Sequence, residues 1–240
     1  MAYLIDAKIL HQDMVPYEII KSSQNIKESL DSWIRNRKIP KNREYTSEVL
    51  ASSGITREDN FMAYINISLG LSLNDCYWVV SNEQDYKWSD YNLYSNSFNE
   101  TLALVAFTGI STRLKGLSVS PELTTNGMLK KCWHKNESSG KIELYKGSNT
   151  KSIEGGYEAY CEYYMAQIAK ALNLNAIGYD LVAFKKEIVS SCELFTSEKY
   201  GYLPIYYCLD KSDIKSDKLS LMKKVEEIYG MNISNKFDIK

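Results

Sequence analysis

Apolar positions recur at helical spacing from residue 17 to residue 36, at Ile19, Ile26, Leu30, Trp33 and Ile34, and predict a helix there. The cluster Arg35-Asn36-Arg37-Lys38 closes it before Ile39-Pro40, where cations complement the C-terminal end of the helix dipole. A short helix near 47–50, a stop at Gly54 and a longer helix over 57–67 follow. Residues 71–98 are dense in aromatics instead: Tyr77, Trp78, Tyr86, Trp88, Tyr91, Tyr94 and Phe98. Interleaved aromatic and polar residues can stack single-stranded bases, but few lysines or arginines accompany them here. Packing against a scaffold is expected.

Strand periodicity takes over after residue 128. Ile142, Leu144 and Lys146 fall on one face of an alternating run, Glu143 and Tyr145 on the other. With Lys131-Cys-Trp-His134 upstream and the turn formers Asn136-Glu-Ser-Ser-Gly140 between, 129–146 predicts a hairpin. A helix over 157–172 carries an apolar stripe of Cys161, Met165, Ile168 and Leu172, with Ala166 and Ala169 on its shoulder. Tyr179–Phe184 and Ile188–Phe195 around Lys185-Lys-Glu187 predict a second hairpin. Leu203–Leu209 reads as an extended run, and Ser216–Tyr229 as a helix with Leu219, Met222, Val225 and Ile228 on one face and Gly230 beyond its end.

Two charged residues stand out against this pattern. Lys146 ends a strand on its apolar side, where an ammonium requires an anionic partner or snorkels to water. Glu162 points out among the apolar stripe of the next helix, and Glu158 lies near the same arc as a competing partner. Alternatively, both acids are solvated near the helix N-terminus, which the dipole favours. A lysine on a strand paired with a glutamate on the following helix is the arrangement that holds ATP phosphates in protein kinases.

Composition narrows the choice. The 240 residues are 44% hydrophobic and 25% charged with a net charge of −1, enough to bury a sizeable core and without a basic field for nucleic acid. No apolar run reaches membrane-spanning length, and Met1-Ala-Tyr-Leu-Ile-Asp6 lacks the pattern of a signal peptide. The five cysteines (Cys76, Cys132, Cys161, Cys192, Cys208) are odd in number and show no C-x-x-C spacing, which suits a reduced cytoplasm. Of the two histidines, His11 opens His11-Gln-Asp13, but Glu18 rather than Asn follows at the kinase spacing and the motif precedes Lys146. His134 reads as a strand surface residue, so a Cys–His pair or a histidine-based metal centre has little support.

In this order, several segments together resemble the HipA-like serine/threonine kinases, particularly the clostridial-type members. They are Trp33–Pro40, Gly70–Trp78, Trp88–Asn92, Ser120–Gly127, Leu144–Gly147 and Ser191–Phe195. The resemblance implies an α+β fold: an N-terminal helical and mixed accessory region at 1–115, then a small-lobe-like antiparallel sheet with one packed helix at 116–210. A linker and the start of a large lobe would occupy 211–240. It implies ATP with Mg²⁺ as cofactor, Lys146 as the phosphate lysine and Glu162 as its helix partner. Residues 118–127, including Gly127, would form a flexible, poorly packed phosphate-covering loop. Glu193 to Phe195 would form the hinge beside adenine, and Ser118 and Ser120 are the candidate autophosphorylation sites.

Departures from the family bear on activity. No Asp is followed two positions later by His, the loop holds a single glycine, and no catalytic residue is assigned within these 240 residues. The sequence therefore reads as the ATP-binding half of such a kinase, in a toxin–antitoxin setting. Its expected partner is a second chain supplying the catalytic lobe, or an antitoxin-like protein. The alternative is a non-catalytic binding module, a degenerate relative that holds a partner kinase, antitoxin or other protein. Neither nucleic acid nor membrane is an expected partner.

Overall fold

The computed structural model describes residues 4–21, 25–55, 61–114, 119–136, 138–149, 155–209 and 215–229. Helices α1 (Tyr17–Lys21), α2 (Ile26–Asn36), α3 (Thr46–Ser52), α4 (Phe61–Ser68), α5 (Trp88–Tyr91) and α6 (Glu100–Thr108) come first. Strands β1 (Lys131–Lys135) and β2 (Ile142–Lys146), helix α7 (Glu158–Ala171) and strands β3 (Asp180–Phe184) and β4 (Glu187–Glu193) follow. Helices α8 (Ile205–Cys208) and α9 (Lys218–Tyr229) come last. The chain is therefore α+β, with a four-stranded antiparallel sheet in the order β1-β2-β4-β3.

By contact the chain forms two units, one of residues 34–201 and one of residues 4–33 with the segment from 202 onward. In the second unit α1 touches α8, and Asp217 caps α9 by accepting from the backbone N–H groups of Leu219 and Ser220. The expected extended run at 203–209 holds α8 instead. Pro204 presets its first turn, in which the N–H of Tyr207 donates to the Pro204 carbonyl.

In the first unit α6 lies directly on β1. Asn99 caps α6 by accepting from the Leu102 N–H at 2.9 Å, and Gly109 ends it at φ +72. One side of α6 gives Leu102, Val105 and Ala106 to a core with Val49, Leu50, Tyr64 and Leu123. The other gives Phe107 to a core with Cys132, Tyr145 and Val189 of the sheet. A helix buried on two sides shows no apolar stripe, so periodicity does not reveal it.

Register defines the two sheet faces. Lys131, Trp133 and Lys135 of β1 stand opposite Lys146, Leu144 and Ile142 of β2, and Lys146 and Leu144 stand opposite Ser190 and Cys192 of β4. This face receives α7, which lies against β4 and β3. The aromatic segment 71–98 packs as expected, with Trp78, Tyr86, Trp88, Tyr91, Tyr94 and Phe98 around Leu71, Leu73 and Leu93.

The β3–β4 hairpin turns on Lys185 and Lys186, both at positive φ (47° and 67°). Two-residue turns of that hand favour Asn-Gly, and a lysine there carries a steric cost. Replacing Lys185-Lys186 with Asn-Gly is expected to raise stability by about 1 kcal/mol, read from the urea midpoint. An unchanged or lowered midpoint contradicts it.

Candidate functional site

Lys146 closes β2 on the face that α7 covers. Its Nζ lies 2.8 Å from Glu162 Oε1 and donates to the Tyr179 hydroxyl at 2.8 Å, above a ring whose centre is 4.6 Å away. The other carboxylate oxygen of Glu162 accepts from the hydroxyl of Ser190, a fully buried residue of β4. Three elements, strand β2, helix α7 and strand β4, thus meet at one ion pair with Tyr179, the residue just before β3. Burial pulls the Lys146 ammonium toward neutrality, but its bonds to Glu162 and Tyr179 outweigh that and raise its pKa above the ordinary lysine value.

Glu158 does not compete for the lysine. Its carboxylate accepts from the backbone N–H groups of Gly156 at 2.9 Å and Asn149 at 3.3 Å, tying the loop after β2 to the first turn of α7. Slight burial pushes its carboxyl up, and those backbone bonds prevail and hold it below the usual range. Ser148 adds to the same start by accepting from the Ala159 N–H.

The arc of α7 that meets the sheet differs from the apolar stripe. Ala159, Glu162, Tyr163, Ala166 and Ala169 are buried or half-buried, whereas Cys161, Met165, Ile168 and Leu172 are exposed. Small residues permit close approach of helix to sheet, and that approach brings Glu162 within reach of a strand lysine. An apolar cavity of about 430 Å³ lies beside the pair, with Met165, Ala169, Ile177, Glu162 and Tyr179 in its lining.

Next to this pair sits a second, wholly buried one. Arg43 Nη2 lies 3.1 Å from Glu122 Oε2, and Arg43 also donates to the carbonyls of Glu122, Thr125 and Lys131. Glu122 Oε1 accepts from the Trp133 N–H of β1 at 2.7 Å. These bonds fix the segment expected to be a loose phosphate-covering loop. Residues Pro121–Leu123 form a buried 3-10 turn, Leu123 is fully buried and Thr124 nearly so. The turn formers in this segment are used to satisfy one another rather than to leave it free. Thr125, for example, donates its hydroxyl to the Pro121 carbonyl at 2.6 Å.

The remaining expected site residues are spread more widely. Gly127 adopts φ +101, and a Cβ there would overlap the Lys131 ammonium. Ser120 is buried at 2% exposure with its hydroxyl capping the 3-10 turn, so phosphorylation there requires that turn to open. Ser118 lies outside the described residues. Glu193 ends β4 with its side chain on the opposite face from Lys146, paired with exposed Lys141 at 3.2 Å. Phe195 is half exposed, while Leu194 between them donates its N–H to the Ile142 carbonyl.

Tyr179, Ser190 and Lys131 are not apparent from the sequence pattern. The signal for Ser190 is register, since a serine paired with a strand lysine can reach the lysine's own partner. A larger cavity, about 640 Å³, opens between α6 and the edge strand β1, near Glu100, His134 and Lys135. There the lysine is engaged by the Tyr94 and Asn96 carbonyls, and it offers a ligand less than the Lys146 pair does. Compared with models of protein families, with curated proteins and with solved structures, the chain gives no significant match.

Proposed function

We propose that this chain is the nucleotide-binding half of a HipA-like serine/threonine kinase, with ATP as its ligand and Lys146 as the residue that contacts the phosphates. The observation that supports this most is the 2.8 Å pair between Lys146 on a strand and Glu162 on the helix that follows it. Such a pair positions an ammonium for phosphate oxygens while keeping it charged. The surrounding charges also suit an anion. Arg43, Lys131 and Lys146 supply three cations against the carboxylates of Glu122 and Glu162, a surplus of one.

On this reading Glu162 and Tyr179 orient the lysine, Ser190 orients Glu162, and the nucleotide brings the phosphoryl group. Mg²⁺ is the metal expected with it, and among the described residues no group of three His, Cys, Asp or Glu could hold a metal alone. No catalytic base is assigned. Of the aspartates between β4 and α9, Asp217 is occupied as a helix cap, and Asp210 and Asp213 lie outside the described residues.

The exposed apolar stripe of α7 favours a second reading, a module that holds another protein. Met165 and Leu172 are each more than half exposed, and Ile168 is half exposed. On that reading the partner is a second chain carrying a catalytic lobe, or an antitoxin-like protein.

Titration of ATP–Mg²⁺ into the chain and its Lys146→Met variant tests the first reading. Loss of one charge-assisted contact of roughly 1.5–3 kcal/mol should weaken binding about 10- to 100-fold, with the far-UV spectrum unchanged. With labelled ATP and an acceptor protein, no phosphate transfer by these 240 residues is expected. Equal affinity of parent and variant would overturn the assignment of Lys146, and Lys146-dependent incorporation would overturn the half-kinase reading.

A further inference from the structure

We propose that Lys131 is a second phosphate-contacting cation of the Lys146 site, stored beneath the Asn126–Gly127 turn and released to a polyphosphate that displaces the Asn126 carbonyl. The inference rests on the nucleotide reading above and names a further contact of the same site.

Placement comes first. Lys131 and Lys146 are register partners on adjacent antiparallel strands, so their side chains leave the same sheet face about 5 Å apart at the Cβ atoms. Like charges so placed repel unless an anion lies between or beside them. The two carboxylates in reach are already engaged: Glu162 with Lys146 and Ser190, and Glu122 with Arg43 and the Trp133 N–H. Lys131 is 7% exposed, and among the described residues its Nζ makes one hydrogen bond, to the Asn126 carbonyl at 3.0 Å. A neutral carbonyl is a weak partner for a buried ammonium, and a phosphate oxygen is a stronger one.

Electrostatics agrees with the geometry. Burial, then Arg43 and Lys146, push the Lys131 ammonium down to about 8, with Glu162 and Glu122 opposing. The groups that face it are therefore Arg43 before α3, Glu122 on the 3-10 turn, Lys146 on β2 and Glu162 on α7.

The turn above it has the form a release requires. Gly127 at φ +101 has no Cβ, and only this lets backbone and ammonium touch. The 3-10 turn just before it is pinned by Arg43, whereas the described hydrogen bond from Lys131 to the 126–127 step is the single Asn126 contact.

Calorimetric titration with inorganic tripolyphosphate and with ADP, into the parent chain and the Lys131→Met, Lys131→Arg and Lys146→Met variants, tests the inference. Lys131→Met should weaken both ligands about tenfold or more, and Lys131→Arg, which keeps the cation, should retain most of the affinity. A tie that only fastens the turn would shift stability and leave affinity unchanged.

The parent supplies a readout that needs no variant to fold. In the free chain the ammonium loses its proton as pH rises through about 8, so tripolyphosphate affinity should fall from about pH 7 to about pH 9, and less so in Lys131→Arg. A flat parent profile overturns the proposal. So does a Lys131→Met variant that binds like the parent while Lys146→Met does not, an outcome that leaves the nucleotide reading standing. A parent that binds neither ligand overturns both.

Discussion

Replacing Glu122 with alanine is expected to destabilise the 34–201 unit by about 3–5 kcal/mol, the cost of leaving one member of a buried ion pair unmatched. Both side chains of the pair are essentially inaccessible, at 0% for Arg43 and 1% for Glu122. Truncation strands more than the guanidinium, because the Trp133 N–H in the middle of edge strand β1 also loses its acceptor. Burial pushes the Glu122 carboxyl up, and Arg43 and the Trp133 N–H counter it by favouring the ionised form. Glu122→Gln keeps an acceptor for Trp133 while removing the charge, so it should lie between alanine and the parent. Urea unfolding followed by tryptophan fluorescence gives the ranking. A domain is typically stable by only about 5–15 kcal/mol, so the alanine variant should lose much of that margin. A shift under about 1 kcal/mol for Glu122→Ala would mean that the 3-10 turn is held by its other contacts and that the buried ion pair adds little.

The expected looseness of this segment shows where sequence reasoning stopped. Ser, Thr, Pro, Asn and Gly around 118–127 signal a turn, and a turn is what forms. Composition does not show that an arginine 79 positions earlier reaches in to satisfy its carbonyls. The hairpins were legible because alternation is local: Ile142, Leu144 and Lys146 share a face in the sequence and in the sheet. That Lys146 needs an anionic partner was legible in the same way, but pattern left Glu158 and Glu162 as competing partners, and only the fold brings Glu162 to 2.8 Å. Helical period located an apolar arc on α7 but not its neighbour. The sheet takes the arc with Ala159, Ala166 and Ala169, and the larger apolar side chains face outward. Helix α6 was invisible because it gives apolar residues to cores on two sides, which leaves no single stripe for the helical period to reveal.

Arg37 is a comparable case in which charge was visible and role was not. In sequence it belongs to a basic cluster that suits a helix C-terminus. In the fold its guanidinium grips the segment after α4. Nη1 and Nη2 each lie 2.8 Å from one oxygen of Asp75, Nη2 donates to the Tyr77 carbonyl at 3.1 Å, and Nε donates to the Gly70 carbonyl. Gly70 sits at φ +60 with Val79 and Arg37 close to where a Cβ would stand, so the arginine and the turn are fitted to each other. This grip anchors one end of the aromatic segment that covers Leu71 and Leu73. Arg37→Ala is expected to cost about 2–3 kcal/mol, below the Glu122 effect because the Asp75 side chain keeps 22% of its exposure and can turn to water. Arg37→Lys keeps the charge but offers no planar fork, so it should recover less than half of that loss. Asp75→Asn, which spares the carbonyl contacts, should be milder than either. Thermal and urea unfolding of the three variants give the order. If lysine at 37 matches the parent, charge near the end of α2 is what matters there, and the fork to Asp75, Gly70 and Tyr77 contributes nothing beyond it.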